Sequence, residues 1–299
     1  MAKLSIHSII KKQFLDVRLQ LLSPSAAISL PPESKVIEAI NLMVERKVGS
    51  VVVTSKNKDQ VGIFTERDVL IGFGKHGNKL LSMSLSSLMS CPIQTQAVNG
   101  SIARAIYSMS VGGFRHLGVN FPDGHLGVIS VKDILDFLYK ALTKKIVEDE
   151  FSTYFDNNSV DMFFLSAVSS LVPKNAVWVL PNATMVDVIS KMNAKKVGCV
   201  LVGESNKSPL GIFTERDFLQ VVSEVSQTLD VVTVSAFMTH SPKTATQSSS
   251  VALVMNMMCE SGFRHIPIVD ELEKLVGVLS VRDFFDFLAK HILEELNKK

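Results

Sequence analysis

The heptapeptide Gly-Ile-Phe-Thr-Glu-Arg-Asp stands at Gly62–Asp68 and again, letter for letter, at Gly211–Asp217. The same offset of 149 residues carries Pro32 onto Pro181, Met43 onto Met192, and Lys47-Val48-Gly49 onto Lys196-Val197-Gly198. It also carries Gly113-Phe114-Arg115-His116 onto Gly262-Phe263-Arg264-His265. A related pair, GVISVKD at Gly127–Asp133 and GVLSVRD at Gly277–Asp283, follows the first pair by 65 and 66 residues. The chain is therefore a duplicated pair, four units in all. Such units cannot bury an apolar face alone and must pack on one another. At 299 residues the chain is in any case too long for one ordinary core.

One unit can be read through. Val36, Ile37, Ile40, Met43 and Val44 recur at helical spacing, which predicts an amphipathic helix over Val36–Lys47. Val48–Thr54 is short and β-branched, the signature of a buried strand. A polar turn at Ser55–Asp59 leads to a second strand, Gln60–Phe64, and Thr65 opens another helix. The second unit makes the same hairpin around Pro122-Asp123-Gly124, whose residues suit a turn. Short extended segments, Ala26–Leu30 and Ala176–Val179, precede the first helices. The order is strand–helix–strand–strand–helix. Helices over Val131–Glu150 and Val281–Lys299 run on past the second and fourth units, and Phe151–Ser170, with Asn157-Asn158, reads as the linker.

Composition excludes several classes. Lys+Arg 31 against Asp+Glu 29 gives a net charge of +2, too balanced for a protein whose main partner is nucleic acid. Cys91, Cys199 and Cys259 are too few and too scattered for a disulfide framework or zinc ribbon, which points to a reducing compartment. Charges interrupt every apolar run of Met1–Leu22, unlike a signal peptide. Pro173, Lys174 and Asn175 break Met162–Leu180 short of the ~20 residues that a membrane span needs. A cytoplasmic protein without a membrane partner is expected. No histidine stands at metal-ligand spacing, and no nucleophile or zinc-protease motif occurs. Gly72-Phe73-Gly74-Lys75-His76-Gly77 spells G-x-G-x-x-G but follows a helix start, so it reads as a helix-ending loop. Met255, Met257 and Met258 read as core filler, and Trp178 as packing beside a strand.

The Ser/Thr–x–x–Asp end of each unit has two readings. A helix that starts at the hydroxyl residue offers backbone N–H groups and a dipole to an anion, and the Asp carboxylate suits two adjacent ribose hydroxyls. The same spacing is also that of a capping box. Capping and binding are compatible.

The four ends, with the FRHLGV and FRHIPIVD strands that open at Phe114 and Phe263, resemble the cystathionine-β-synthase (CBS) domain family over roughly residues 20–140 and 168–290. The resemblance implies an α/β (α+β) fold of four CBS repeats, at 20–72, 84–140, 168–221 and 233–290, with a linker helix and connection at 141–167. It implies that the repeats pair sheet to sheet into two Bateman modules, which close into a pseudo-symmetric disc. Such modules bind adenosine-containing ligands in clefts between paired repeats: AMP, ADP or ATP, with S-adenosylmethionine or a dinucleotide as further possibilities, and no required cofactor. Carried over residue by residue, Asp68, Asp133, Asp217 and Asp283 would take the ribose. Thr65, Ser130, Thr214 and Ser280 would support phosphate or ribose, and Thr95 and Thr244 would line the nucleoside pocket. Arg115-His116 and Arg264-His265 would face phosphate, for which a guanidinium fork is well shaped. Arg67 and Arg216 are weaker candidates, more simply solvated. The odd repeats lack Arg-His and carry Lys47 and Lys196 just upstream, so the four clefts are not equivalent. Gly118 also departs from the proline at Pro267.

The implied function is a non-catalytic regulatory sensor that relays nucleotide occupancy to an effector protein, as a monomeric four-repeat disc or a homodimer. The alternative is a ligand-free CBS scaffold for assembly. An enzyme is disfavoured because the repeats consume almost the whole chain.

Overall fold

A computed structural model describes residues 17–55, 61–142, 166–171, 173–205 and 208–296. The turn at Ser55–Asp59 beyond Ser55, the helix beyond Leu142 and most of the 141–167 connection lie outside them. The described residues form two compact units, and each unit draws on both halves of the sequence.

One unit holds the first and third repeats, residues 27–93 and 175–243. The first repeat runs β2 (Ser29–Leu30), α1 (Val36–Arg46), β3 (Ser50–Thr54), β4 (Val61–Thr65) and α2 (Glu66–His76). The third runs β8 (Trp178–Val179), α5 (Met185–Lys195), β9 (Cys199–Val202), β10 (Gly211–Thr214) and α6 (Glu215–Val225). In each sheet a parallel first strand is followed by an antiparallel hairpin. The helices pack on the sheets around one core shared by Ile40, Met43, Phe64, Leu70, Ile189, Met192, Phe213 and Phe218. Phe73 meets Phe218 edge to face at 5.5 Å, closing the two repeats on each other.

The other unit holds the second and fourth repeats. Its elements are β5 (Thr95–Ala97), α3 (Ile102–Gly112), β6 (His116–Asn120), β7 (Leu126–Ser130) and α4 (Val131–Leu142), then β12 (Ala245–Thr246), α7 (Val251–Ser261), β13 (His265–Val269), β14 (Leu275–Ser280) and α8 (Val281–Leu296). Ile106, Met109, Ile134, Val254, Met255, Ile266, Phe284 and Phe285 belong to one buried cluster. Tyr139 donates to the Asn256 side chain at 2.7 Å across that interface. Met255 and Met258 are core, as their spacing predicts.

The segment ahead of each repeat packs on its neighbour in sequence. Ser25-Ala26 (β1) pairs with β7 of the second repeat, and Ser90 bridges Ile63 of the first. Lys174 bridges Val278, and Thr239-His240 (β11) pairs with β10. These crossings explain the glycine that opens every repeated end. A Cβ on Gly62 would stand 2.5 Å from the Met89 sulfur, and one on Gly277 would stand 2.6 Å from the Lys174 carbonyl oxygen. The predicted single stretch Ala26–Leu30 is thus two strands serving different units.

Helix ends follow the same logic. Ser101, Thr184 and Ser250 cap α3, α5 and α7 by accepting from the third helical N–H. Lys47 and Lys196 close α1 and α5 in the left-handed region, φ 55° and 54°, where the even repeats use Gly113 and Gly262. The two lysines are thus helix terminators, and the residues that replace Arg-His in the odd repeats are Gly49-Ser50 and Gly198-Cys199.

The G-x-G-x-x-G stretch is also corrected. Gly72 and Gly74 lie within α2, and only Gly77 (φ 55°) ends it. Gly72 is held bare by Leu80 and Gly74 by Asn193 of the third repeat, whose amide donates to the Leu70 carbonyl at 2.9 Å. This is helix packing and not phosphate binding. No described helix is long and apolar enough to cross a membrane.

Candidate functional site

All four Ser/Thr–x–x–Asp ends share one geometry. The hydroxyls of Thr65, Ser130, Thr214 and Ser280 donate to Oδ2 of Asp68, Asp133, Asp217 and Asp283 at 2.7, 2.8, 2.9 and 2.6 Å. The backbone N–H of each hydroxyl residue donates to the same oxygen at 2.7–2.8 Å. Asp68, Asp133 and Asp217 N–H groups return a bond to the hydroxyl. The capping box is therefore real. It fixes each carboxylate with Oδ2 consumed and leaves Oδ1 as the acceptor for anything beyond the helix.

Two consequences follow for the helix starts. Each hydroxyl donates to its carboxylate, and those of Thr65, Ser130 and Thr214 also accept from the aspartate N–H, so the hydroxyls position the carboxylates. The first helical N–H is also spent: Val131, Val281, Glu66 and Glu215 donate to the carbonyls of Arg115, Arg264, Gly49 and Gly198 at 2.9–3.1 Å.

Strand register places the remaining candidates. His116 lies opposite Ser130, and Thr95 lies opposite Gly118, two residues on. Alternation puts Thr95, His116 and Ser130 on the sheet face opposite to Leu117, Val119 and Ile129, which are core. Asn120, on the same face, donates to the Thr95 hydroxyl at 3.1 Å. A Cβ at Gly118 would approach the Thr95 methyl to 2.8 Å. In the fourth repeat His265 lies opposite Ser280, and Thr244 stands just ahead of β12. The equivalent places hold Ser29, Ser50 and Thr65 in the first repeat, and Trp178, Cys199 and Thr214 in the third. Ser29, Ser50, Trp178 and Cys199 were invisible as site residues because only the pairing register aligns them with Thr95 and His116.

Electrostatics separates the two units. In the unit of repeats one and three, Arg67 binds the Glu215 carboxylate at 2.9 Å and donates to the Val197 and Lys196 carbonyls. Arg216 reaches Glu66 at 3.3 Å. Both glutamates are buried. The two copies of Thr-Glu-Arg-Asp thus clasp each other reciprocally, and Arg67 and Arg216 are interface ion pairs instead of solvated charges. Burial raises the Asp68 and Asp217 carboxyls above the ordinary value, against the lowering effect of their own capping bonds; Glu215 and Glu66 raise them further.

The even repeats carry Val131 and Val281 in place of those glutamates. There Lys132 and Arg282 pair along their own helices with Asp136 and Asp286. Arg282 also donates to the Phe114 carbonyl at 3.1 Å, which brings the start of α8 beside Arg115. Arg115, His116, Arg264 and His265 all belong to this unit. Asp283 Oδ1 meets the exposed Lys174 ammonium at 2.5 Å, whereas Asp133 is exposed. Among the described residues no His/Cys/Asp/Glu cluster could hold a metal ion.

The chain matches the CBS domain family over residues 22–73, 168–224 and 234–290. The second repeat lies outside those segments but has the same order of elements. The CBS domain-containing protein CBSCBSPB1 of Arabidopsis thaliana is 26% identical over 284 residues, covering 86% of this chain and 51% of its own length. CBSCBSPB5 of the same plant is 25% identical over 278 residues. The chain thus spans about half the length of the curated relatives it matches. Protein MJ1225 of Methanocaldococcus jannaschii, proposed as an archaeal homolog of γ-AMPK, superimposes with a TM-score of 0.73 at 17% identity. That match covers 91% of this chain and 99% of the other. With more than half its length matched at three separate repeats, the chain belongs to the CBS domain family.

Proposed function

We propose that the protein is a non-catalytic sensor of adenosine-containing ligands, with AMP, ADP or ATP as the leading class, and that occupancy is relayed to an effector protein. The observation that carries this is the second-and-fourth-repeat unit. It combines two preorganised carboxylates, Asp133 and Asp283, with Arg115, His116, Arg264 and His265. A diol needs an acceptor fixed in place, and Oδ1 of a capping-box aspartate is one. Phosphate needs convergent cations, and only this unit carries the Arg-His pairs. Lys174 on Asp283 is a lopsided pair, its own side chain 69% exposed and that of Asp283 8%, so a diol would reach Oδ1 by displacing a solvent-facing ammonium. In the first-and-third-repeat unit the equivalent charges are committed to each other. Ligand is therefore expected first at Asp133 and Asp283, and at Asp68 and Asp217 weakly or with a different head group. The mechanism is differential binding: ligand favours one arrangement of the repeats, which a partner reads.

The test uses Asp133→Asn and Asp283→Asn in the full chain. Asparagine can still accept the capping bonds but loses charge toward the diol. Loss of a charged hydrogen bond costs roughly 1.5–3 kcal/mol, so calorimetric affinity for the nucleotide should fall about tenfold or more. Unchanged affinity with lowered stability would reduce the aspartates to caps and favour the scaffold reading.

A further inference from the structure

The stretch Gly72–Gly77, whose glycines are not a dinucleotide loop, has a second role in the unit of repeats one and three. It forms one wall of a basin of about 1020 Å³ between α2 and α5. The basin is lined by Ile71, Lys75, Val186, Ser190, Lys196 and Asp230, among others. Its lining mixes apolar side chains, Ile71, Val186 and Ile189 among them, with Arg67. The volume is that of a small-molecule site.

The chain supplies its own control, because the 149-residue repeat places an equivalent face between α6 and α1. There Gln220 replaces Ile71, Ser223 replaces Gly74 and Glu224 replaces Lys75. Ser223 donates across the helices to Asn41 at 3.2 Å, and Gln220 bonds Glu224 at 2.9 Å. That face is bridged and mixed in charge, with Glu224 for Lys75, Lys47 for Lys196 and Leu81 for Asp230. On the basin side Asn193 packs on the bare Gly74 backbone, Ile71 and Val186 stay exposed, and the lining carries Lys75 and Lys196 with one carboxylate, Asp230. Two faces that begin as copies thus differ in charge and polarity.

We propose that this basin binds a small organic anion, with an apolar body against Ile71, Val186 and Ile189 and a phosphate or carboxylate head held by Lys75 and Lys196. The site shares only Arg67 with a Ser/Thr–x–x–Asp end, its lining includes none of the four aspartates, and it does not depend on the adenosyl reading. Its occupant touches a helix of each repeat and so braces the two repeats against each other.

Three fluorescent probes of one body test it by anisotropy titration on the full chain: 1-naphthyl phosphate, 1-naphthoate and neutral 1-naphthol. The anions should bind at least about tenfold more tightly than the neutral twin, as a charge-assisted contact requires. Whichever anion binds better identifies the head group. Lys75→Glu with Lys196→Glu, both exposed positions, should erase the difference between anions and 1-naphthol. Val186→Trp should weaken all three by filling the basin. Asp133→Asn and Asp283→Asn should leave the probes unaffected. Equal binding of all three probes, no binding at millimolar concentration, or anion affinity indifferent to both lysine reversals and Val186→Trp would overturn the proposal.

Discussion

Replacing Arg67 by Met should cost the unit of repeats one and three about 3 kcal/mol. Arg67 stands 2.9 Å from Glu215, its side chain is 27% exposed, and that of Glu215 is 5% exposed. Breaking a buried ion pair typically costs ~3–5 kcal/mol, because the remaining charge stays desolvated, and the partial exposure of Arg67 places the loss at the low end. Arg216 is 47% exposed and 3.3 Å from Glu66, so Arg216→Met should cost about 1 kcal/mol or less. The assay is urea unfolding followed by Trp178 fluorescence, which reports on this unit from the third repeat. With a urea slope of about 2–3 kcal/mol/M, Arg67→Met should lower the midpoint by roughly 1 M. The double variant Arg67→Met/Glu215→Val installs at the glutamate position the valine that Val131 and Val281 provide in the even repeats. Apolar replacement of a buried pair is often neutral, so it should recover to within about 1 kcal/mol of wild type. An Arg67→Met midpoint within error of wild type, or a double variant as unstable as the two single losses added, would refute the clasp.

Two further outcomes follow from the same environments. Asp68 and Asp217 have raised carboxyls, so the folded state binds their protons before the unfolded chain does; their contribution to stability grows as pH falls through the raised value and is complete below 3.8. Asp68→Asn/Asp217→Asn should therefore lose stability relative to wild type less at neutral pH than at pH 4, and chemical denaturation at several pH values would show the opposite slope if the capping bonds dominated. Burial and Asp136 push the Cys259 thiol up to about 12, while Cys91 is exposed. Iodoacetamide should accordingly label Cys91 in the native chain and reach Cys259 only after unfolding, as mass spectrometry of peptides would report.

Much of the fold was legible because it is written four times. Helix Val36–Lys47 is observed as Val36–Arg46, strand Val48–Thr54 as Ser50–Thr54, and the helix opened by Thr65 has Thr65 as its cap. Periodicity and turn chemistry are local, and they reported local structure. What the sequence hid is set by partners far along the chain. Arg67 and Arg216 looked solvated because Glu215 and Glu66 lie about 150 positions away. Trp178 and Cys199 did not resemble Thr95 and His116 by type, and only strand register shows that they occupy the same places. A capping box and a ribose site share one spacing, and of the two only the capping bonds between hydroxyl and aspartate are internal to the chain.

Thermal unfolding of the full chain with AMP, ADP, ATP or S-adenosylmethionine tests the central claim most directly. A ligand present at 100 times its Kd and bound only to the folded state stabilises it by about 2.7 kcal/mol, which for a unit of this size raises Tm by roughly 5–10 °C. The account predicts such a shift for at least one of the four, reduced in Asp133→Asn/Asp283→Asn. A flat response to all four at millimolar concentration would contradict it.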